Sequence, residues 1–381
     1  MNSEERRAAR RERREEKRAA KRAARIERCT LEEVADMNSL YRAQRQAARG
    51  VSWKASTQRY QINWLLNINR TRRDLLAGND VRRGFHEFDV FERGKLRHIS
   101  SVHFSERVIH KSLSQNALVP AMTPSLIDRN TANMKGKGLS YALKKLKKDL
   151  ADHYREHGSD GYVLLMDYSG YFASIDHGGV KKLVRKHLDD PRLIALSDSL
   201  IDSQGERGLG LGSEPNQVWA VAYPNPIDHY VTELCHVEAY GRYMDDSYAI
   251  HESKDHLRLV AACVAILCED MCIVPNPKKT RIVKLSNGFT FLKKKIFYGE
   301  DGKVVMRPCR ESITRERRKL KRQAGLVSEG VMSLEDVTRS YQSWRGSLTG
   351  LSAQRTMESM DALFRSLFKI TEDPPQRPKN R

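Results

Sequence analysis

The chain has 381 residues, enough for a substantial core and two or three sub-domains. Its 68 Lys plus Arg against 48 Asp plus Glu give a formal net charge of +20, which draws polyanions without dictating a fold. No apolar run approaches the roughly 20 residues of a spanning helix, and no charged-then-apolar leader with a cleavage site is present. A cytoplasmic nucleic-acid-binding protein with no membrane partner is the expectation. The six cysteines form no CxxC pair and no zinc spacing, so they read as small buried hydrophobes.

Residues 1–28 are Arg, Lys, Glu and Ala, strong helix formers with Ser3 as a cap and Glu4 and Glu5 suited to the helix dipole. Almost no apolar residue precedes Ile26, so this basic arm has no face to bury. It reads either as a solvated tail or as an arm that orders along phosphates. A helical region, 29–80, follows. Tyr60, Trp64, Leu65, Ile68 and Leu75 recur at helical spacing within 53–76, and Gly78 supplies a stop.

Residues 88–91 and 99–102 read as a short β-hairpin, then a helix runs through Arg107 and His110. A basic helix is expected over 140–157. Residues 161–166 are continuously apolar, as in a strand buried on both faces, and the run ends at Asp167. Helices over 179–187 and 193–203 lead to a glycine-rich loop at 208–212 and a helix from 217, which Pro224 and Pro226 interrupt. Residues 240–250 read as strand, turn, strand with Asp245-Asp246 at the turn. A helix over 256–272, strands over 280–285 and 289–297, and helices over 312–324, 333–347 and 353–368 complete the pattern. The tail, 373–381, is Pro-rich and basic.

Nucleotide addition is phosphoryl transfer, in which positioning and charge neutralisation outweigh covalent chemistry. Two divalent ions roughly 3.5–4 Å apart do this well and need carboxylates converging from rigid elements distant in sequence. Mg2+ suits the task, since it prefers oxygen ligands and keeps sites open for phosphates; Mn2+ could substitute. An Asp closing a buried strand, plus two at a hairpin turn, supplies such a set. Each alone is ordinary turn or cap chemistry, so the combination carries the signal.

Asp167-Tyr168-Ser169-Gly170-Tyr171-Phe172 followed by Tyr243-Met244-Asp245-Asp246 resembles motifs A and C of reverse transcriptases in type, order and separation, over about 88–297. The resemblance implies an α+β right-hand polymerase: fingers and palm with an antiparallel sheet over 81–300, then an α-helical thumb over 301–372. It implies RNA-templated DNA synthesis, with RNA template, DNA product and dNTPs as partners. Asp167 and Asp245 would ligate both metals, Asp246 more weakly, with Tyr243 and Met244 beside the nucleic acid. Phe172 stands at the steric gate that excludes a ribose 2′-hydroxyl. Arg97 and Arg107, with Lys95 behind them, would grip the triphosphate.

Other pieces of the resemblance are less regular. Arg129, Lys135 and Lys137 look like the template-contacting segment before motif A. In motif B, Gly212 would approach the nascent base pair and Gln217 would border the dNTP. Leu211 precedes Gly212, and Asn216-Gln217 stand where many members carry Ser-Pro. Asn276-Pro277-Lys278-Lys279-Thr280 matches motif D, with Lys279 (Lys278 as the alternative) the candidate general acid. Phe291-Leu292 fits the primer grip, although Lys293-Lys294 replaces the usual Gly-aromatic pair. Arg315, Arg318, Lys319 and Arg322, with Tyr341 and Trp344 further on, resemble a thumb gripping a duplex through phosphates.

Leu211-Gly212 and the closing Gln217 are similar to enzymes of diversity-generating retroelements and to unassigned bacterial groups that include defence-associated ones. The resemblance therefore implies a dedicated structured noncoding RNA as template in bacterial anti-phage defence. The alternatives are a retroelement or intron-type reverse transcriptase, and, outside enzymes, an RNA-binding scaffold. A partner protein or a homo-oligomer stays open.

Overall fold

A computed structural model describes residues 3–92 and 95–370. Gly94 and the tail over 373–381 lie outside the described residues, as does the side chain of Lys95.

The chain opens with helix α1 (Ser3–Ile26), then α2 (Leu31–Ala35), α3 (Met37–Ala47), α4 (Ala55–Ile62) and α5 (Trp64–Leu76). Strands β1 (Phe85–Glu92) and β2 (Lys95–Val102) pair antiparallel, Phe85 opposite Val102 and Glu92 opposite Lys95. Helix α6 (Phe104–Leu113) continues through a π-helical turn into α7 (Val119–Met122), and α8 (Leu139–His157) precedes β3 (Tyr162–Met166). Next come α9 (Tyr171–Ser174), α10 (His177–His187), α11 (Pro191–Asp202), α12 (Glu214–Ala222) and α13 (Asn225–His229). Strands β4 (Ala239–Tyr243) and β5 (Asp246–His251) flank the acidic turn, followed by α14 (Lys254–Asp270) and β6 (Arg281–Lys284). The remainder is β7 (Phe289–Phe291), β8 (Lys294–Tyr298), β9 (Val304–Pro308), α15 (Arg310–Ser328), α16 (Leu334–Gly346) and α17 (Gln354–Phe368). The fold is thus a mixture of helices and antiparallel strands, as expected for α+β. Among the described residues, no helix is long and apolar enough to cross a membrane.

Two compact units divide the chain in an order that does not follow its linear segments. The first contains Met1–Ala142, Met166–Ser247 and Leu259–Thr280. The second contains Leu143–Leu165, Tyr248–Arg258 and Arg281–Arg381.

In the first unit, Leu40, Tyr60, Ile68, Leu75, Phe104 and Val108 form a core from α3 to α6. The helix expected over 53–76 is broken at Asn63, whose φ of −112° and ψ of 35° lie outside the helical region. The break shifts the phase of the apolar face. Ile68 and Leu75 are buried, whereas Trp64 and Leu65 are 38% and 51% exposed. Trp64 instead lies against Tyr41, ring centroids 4.9 Å apart. Asp190, capping α11 through the Arg192 amide, also accepts from the Leu31 amide at 2.8 Å and so ties α2 to α11.

In the second unit, β3 pairs antiparallel with β6, Tyr162 opposite Lys284. Strands β7, β8 and β9 form a separate antiparallel sheet. The single strand expected over 289–297 is in fact two, turned at Leu292 and Lys293, both at positive φ. Such a turn normally takes Gly or Asn, which is why the sequence read straight through. Leu320, Val337, Tyr341, Met360 and Phe364 form the core of the three C-terminal helices. Tyr341 stacks on Phe364 at 4.6 Å and donates its hydroxyl to Asp361 at 2.6 Å, where Arg345 also binds. Tyr341→Phe keeps the ring and removes the donor from a buried carboxylate. It should cost about 1–3 kcal/mol, read as a lower urea midpoint for loss of the C-terminal helices.

Candidate active site

The acidic cluster lies within the first unit and is assembled by backbone pairing around Asp167. The Ser169 amide donates to the Val274 carbonyl at 2.7 Å, Tyr168 bridges to Pro275, and the Asn276 amide donates to the Asp167 carbonyl at 2.8 Å. Asp167 itself is buried. One of its carboxylate oxygens accepts from Asn276 Nδ2 at 2.8 Å and the other from Lys279 Nζ at 2.5 Å. Asn276 further braces its own turn, accepting from the Lys278 amide on its side chain and the Thr280 amide on its carbonyl.

The second half of the cluster is the turn after β4. Met244 sits at φ 59°, a left-handed conformation that costs a non-glycine residue energy unless its surroundings fix it. Arg242 supplies the constraint. Its guanidinium donates to the Met244 carbonyl at 2.9 Å, to the Val221 carbonyl at 2.9 Å, and to both oxygens of Asp228 at 2.7 and 2.6 Å. The Arg242 and Asp228 side chains are fully buried, and Tyr240 also donates to Asp228 at 2.8 Å. On the backbone, Arg242 donates to the Arg129 carbonyl and accepts from the Thr131 amide, both at 3.1 Å.

The three carboxylates feel one another. Burial, then the charges of Asp245 and Asp167, push the Asp246 carboxyl up to about 7. For Lys279, burial lowers the ammonium's pKa, but the hydrogen bond and charge of Asp167, with Asp246 and Asp245 beyond, outweigh it and leave it raised. Among the described residues, no three His, Cys, Asp or Glu side chains are grouped as a ready cage for an ion. Lys279 is the cation that Asp167 holds. The donor set nevertheless fits divalent metal: it offers oxygen ligands on braced elements, and a carboxyl driven toward neutrality by its neighbours is relieved by added positive charge.

A second constellation lines a cleft of about 340 Å3 in the same unit. Arg107, Gly212 and Gln217 share this cleft with Gln46, Lys111 and Asn133. Gly212 has φ 122°, and a Cβ there would stand 3.1 Å from the Ser100 carbonyl, so β2 can approach only a glycine. The Ser100 amide donates to the Leu211 carbonyl at 3.2 Å. Lys111 pairs with Glu214 at 2.8 Å and His110 meets Ser213 at 3.2 Å, tying α6 to the start of α12. Phe172 is half-buried, and its carbonyl accepts from the Leu209 amide at 2.7 Å. Its neighbour Tyr171 reaches α12 through the Ala220 carbonyl at 2.6 Å. Arg97 is exposed on β2, opposite Val90.

Three expected nucleic-acid contacts turn inward. Lys137 bonds Asp128 at 3.1 Å and the carbonyls of Asp128 and Asn130, bracing its own loop. Lys319 donates to Ser340 at 2.6 Å and faces Glu316. Trp344 packs on the C-terminal core with its indole Nε1 buried. Arg315, Arg318 and Arg322 stay exposed at helical spacing on α15, and Lys135 is exposed. Sequence reasoning missed Arg242, Asp228 and Asn276 as supports. Arg242 could have been suspected from its place directly before an acidic turn, but nothing in the sequence singles out Asp228.

No protein-family model matches this chain, and no curated protein matches it. Among solved structures, telomerase from Candida albicans in complex with a fragment of telomeric RNA is similar at a TM-score of 0.48 and 11% identity. The match covers 76% of this chain and 56% of that one, so this chain spans little more than half of the telomerase chain.

Two predictions follow from the acidic cluster. Arg242→Met leaves the Asp228 charge buried and unpaired, and should cost about 3–5 kcal/mol. Adding Asp228→Leu should restore much of that stability, read as thermal midpoints around the double-mutant cycle. The second concerns pH. A carboxyl raised in the folded state favours the fold below its unfolded pKa and loses that contribution as pH rises through the folded value. Metal-free protein should therefore lose stability between about pH 4 and pH 7, and Asp246→Asn should flatten that slope in melts recorded with a chelator.

Proposed function

We propose that this chain is an RNA-directed DNA polymerase of the reverse transcriptase type. The observation that carries the reading is the meeting of Asp167, Asp245 and Asp246 in one cluster with Lys279 beside it. Asp167, Asp245 and Asp246 would hold two Mg2+ ions, which would supply activation of the attacking 3′-hydroxyl and neutralisation of the leaving oxygen. The chain's own residues do the rest. Lys279, kept protonated by its acidic neighbours, gives a proton to the departing pyrophosphate once it leaves Asp167. Arg107 and Gln217 border the incoming nucleotide's phosphates and base in the cleft, where Gly212 leaves room for close approach. Arg97 and Lys95 add charge from the hairpin, and Phe172 blocks a 2′-hydroxyl. Arg129 and Lys135 hold template. Arg315, Arg318 and Arg322 follow the phosphates of the template–product duplex.

The template in this proposal is a dedicated structured noncoding RNA, and the setting is bacterial anti-phage defence. Leu211-Gly212 and Gln217 in motif B support this finer reading through a resemblance to defence-associated enzymes that they share with those of diversity-generating retroelements. Asp245→Ala with Asp246→Ala should abolish magnesium-dependent primer extension and any phage resistance while RNA affinity persists. Phe172→Ala should raise ribonucleotide incorporation roughly 10–100-fold, measured by single-nucleotide extension with ATP against dATP.

A further inference from the structure

Helix α1 is not uniformly basic. At 3.6 residues per turn, Arg7, Arg10, Arg14, Lys17, Lys21 and Arg25 fall within an arc of roughly 80°. Glu5, Glu12, Glu16, Ala19 and Ala23 lie on the opposite side. The cations follow one another at intervals of three and four residues, which makes each a neighbour of the next. A row of like charges at that spacing disfavours the helix unless an anion lies along it.

Nothing in the helix offsets this by core burial. Arg10 to Lys17 are exposed, and among the described residues of the helix Ile26 is the first that is buried. Toward its C-terminal end the arm is anchored where Arg22 donates to the Lys186 carbonyl at the last turn of α10. There the positive charge continues onto the body: burial, then Lys186 and Arg22, and further on Arg25, push the buried His187 imidazole down to about 4. Arg22 and Lys186 thus place positive charge at the junction of α1 and α10.

The chemistry selects the partner. A helix that lies in a membrane surface needs a bulky apolar face, and the face opposite the stripe is Ala and Glu. Grip on unpaired bases uses aromatic stacking, and α1 has no aromatic residue. What remains is a straight row of charge suited to a regular phosphate backbone. We propose that the Arg7–Arg25 face of α1 is a docking surface for base-paired RNA, held through phosphates. The choice of RNA over DNA rests on the polymerase reading above.

The test is binding alone: full-length protein and a fluorescent RNA hairpin of about 20 base pairs, without divalent metal or nucleotides, titrated across salt concentrations. R10Q/R14Q/K17Q/K21Q should lower affinity at least about 10-fold at low salt and reduce the salt slope by roughly 2–4. E5Q/E12Q/E16Q on the opposite face should leave both within about twofold. Unchanged binding by the stripe variant at unchanged helix content would overturn the proposal. So would opposite-face changes as large as the stripe's, which would mean that only net charge matters. Stripe-dependent capture of phosphatidylserine vesicles without RNA binding would overturn it in favour of a membrane. Primer extension on the same wild-type preparation keeps the two readings apart. Stripe-dependent RNA binding with no synthesis supports the arm and counts against the polymerase.

Discussion

The buried pair of Arg242 and Asp228 is the constraint on which the acidic cluster depends. Taking two charges out of water is unfavourable unless every remaining donor and acceptor finds a partner. Here the guanidinium is satisfied by Asp228, Val221 and Met244, and Asp228 also receives Tyr240. One of those bonds goes to the carbonyl of Met244, the residue in the left-handed conformation. The pair therefore does more than stabilise a core. It fixes the sharp turn that carries Asp245 and Asp246, while the Arg242 backbone holds the Arg129–Thr131 segment alongside.

Charge is distributed in opposite senses over the molecule. A chain with a formal charge of +20 keeps a small negative centre, and only by bracing it. Asn276 and Lys279 hold Asp167, and the turn holds its neighbours. The crowding that raises Asp246 is the same crowding that makes the cluster receptive to cations. Surplus positive charge lies elsewhere, on the α1 stripe and on the exposed side of α15.

Much of this was legible in the sequence for physical reasons. Asp167 closes an apolar run, and a strand buried on both faces must end where a charge begins. Asp245-Asp246 between two β-like runs marks a turn, and Arg107, Gly212 and Gln217, chosen by motif, line one cleft. What stayed hidden depended on long-range or conformational detail. Asp228 sits in a short helix just after Pro224 and Pro226, where an acidic residue ordinarily faces water, and only the fold brings it to Arg242. The break at Asn63 and the turn at Leu292-Lys293 lack the glycine or proline that usually signals them. Lys137 looked like a template contact, yet local carbonyls capture it. The α1 helix has no apolar face, and reading only for apolar faces conceals a stripe written in charge.

The central claim is that this chain copies RNA into DNA. The most direct measurement is to purify the protein with the nucleic acid it carries, add magnesium and labelled deoxynucleotides, and sequence both bound RNA and product. The account predicts DNA complementary to one discrete RNA, appearing only with divalent metal. A discrete bound RNA that yields no DNA under RNA, DNA or protein priming would contradict it and leave an RNA-binding scaffold as the reading.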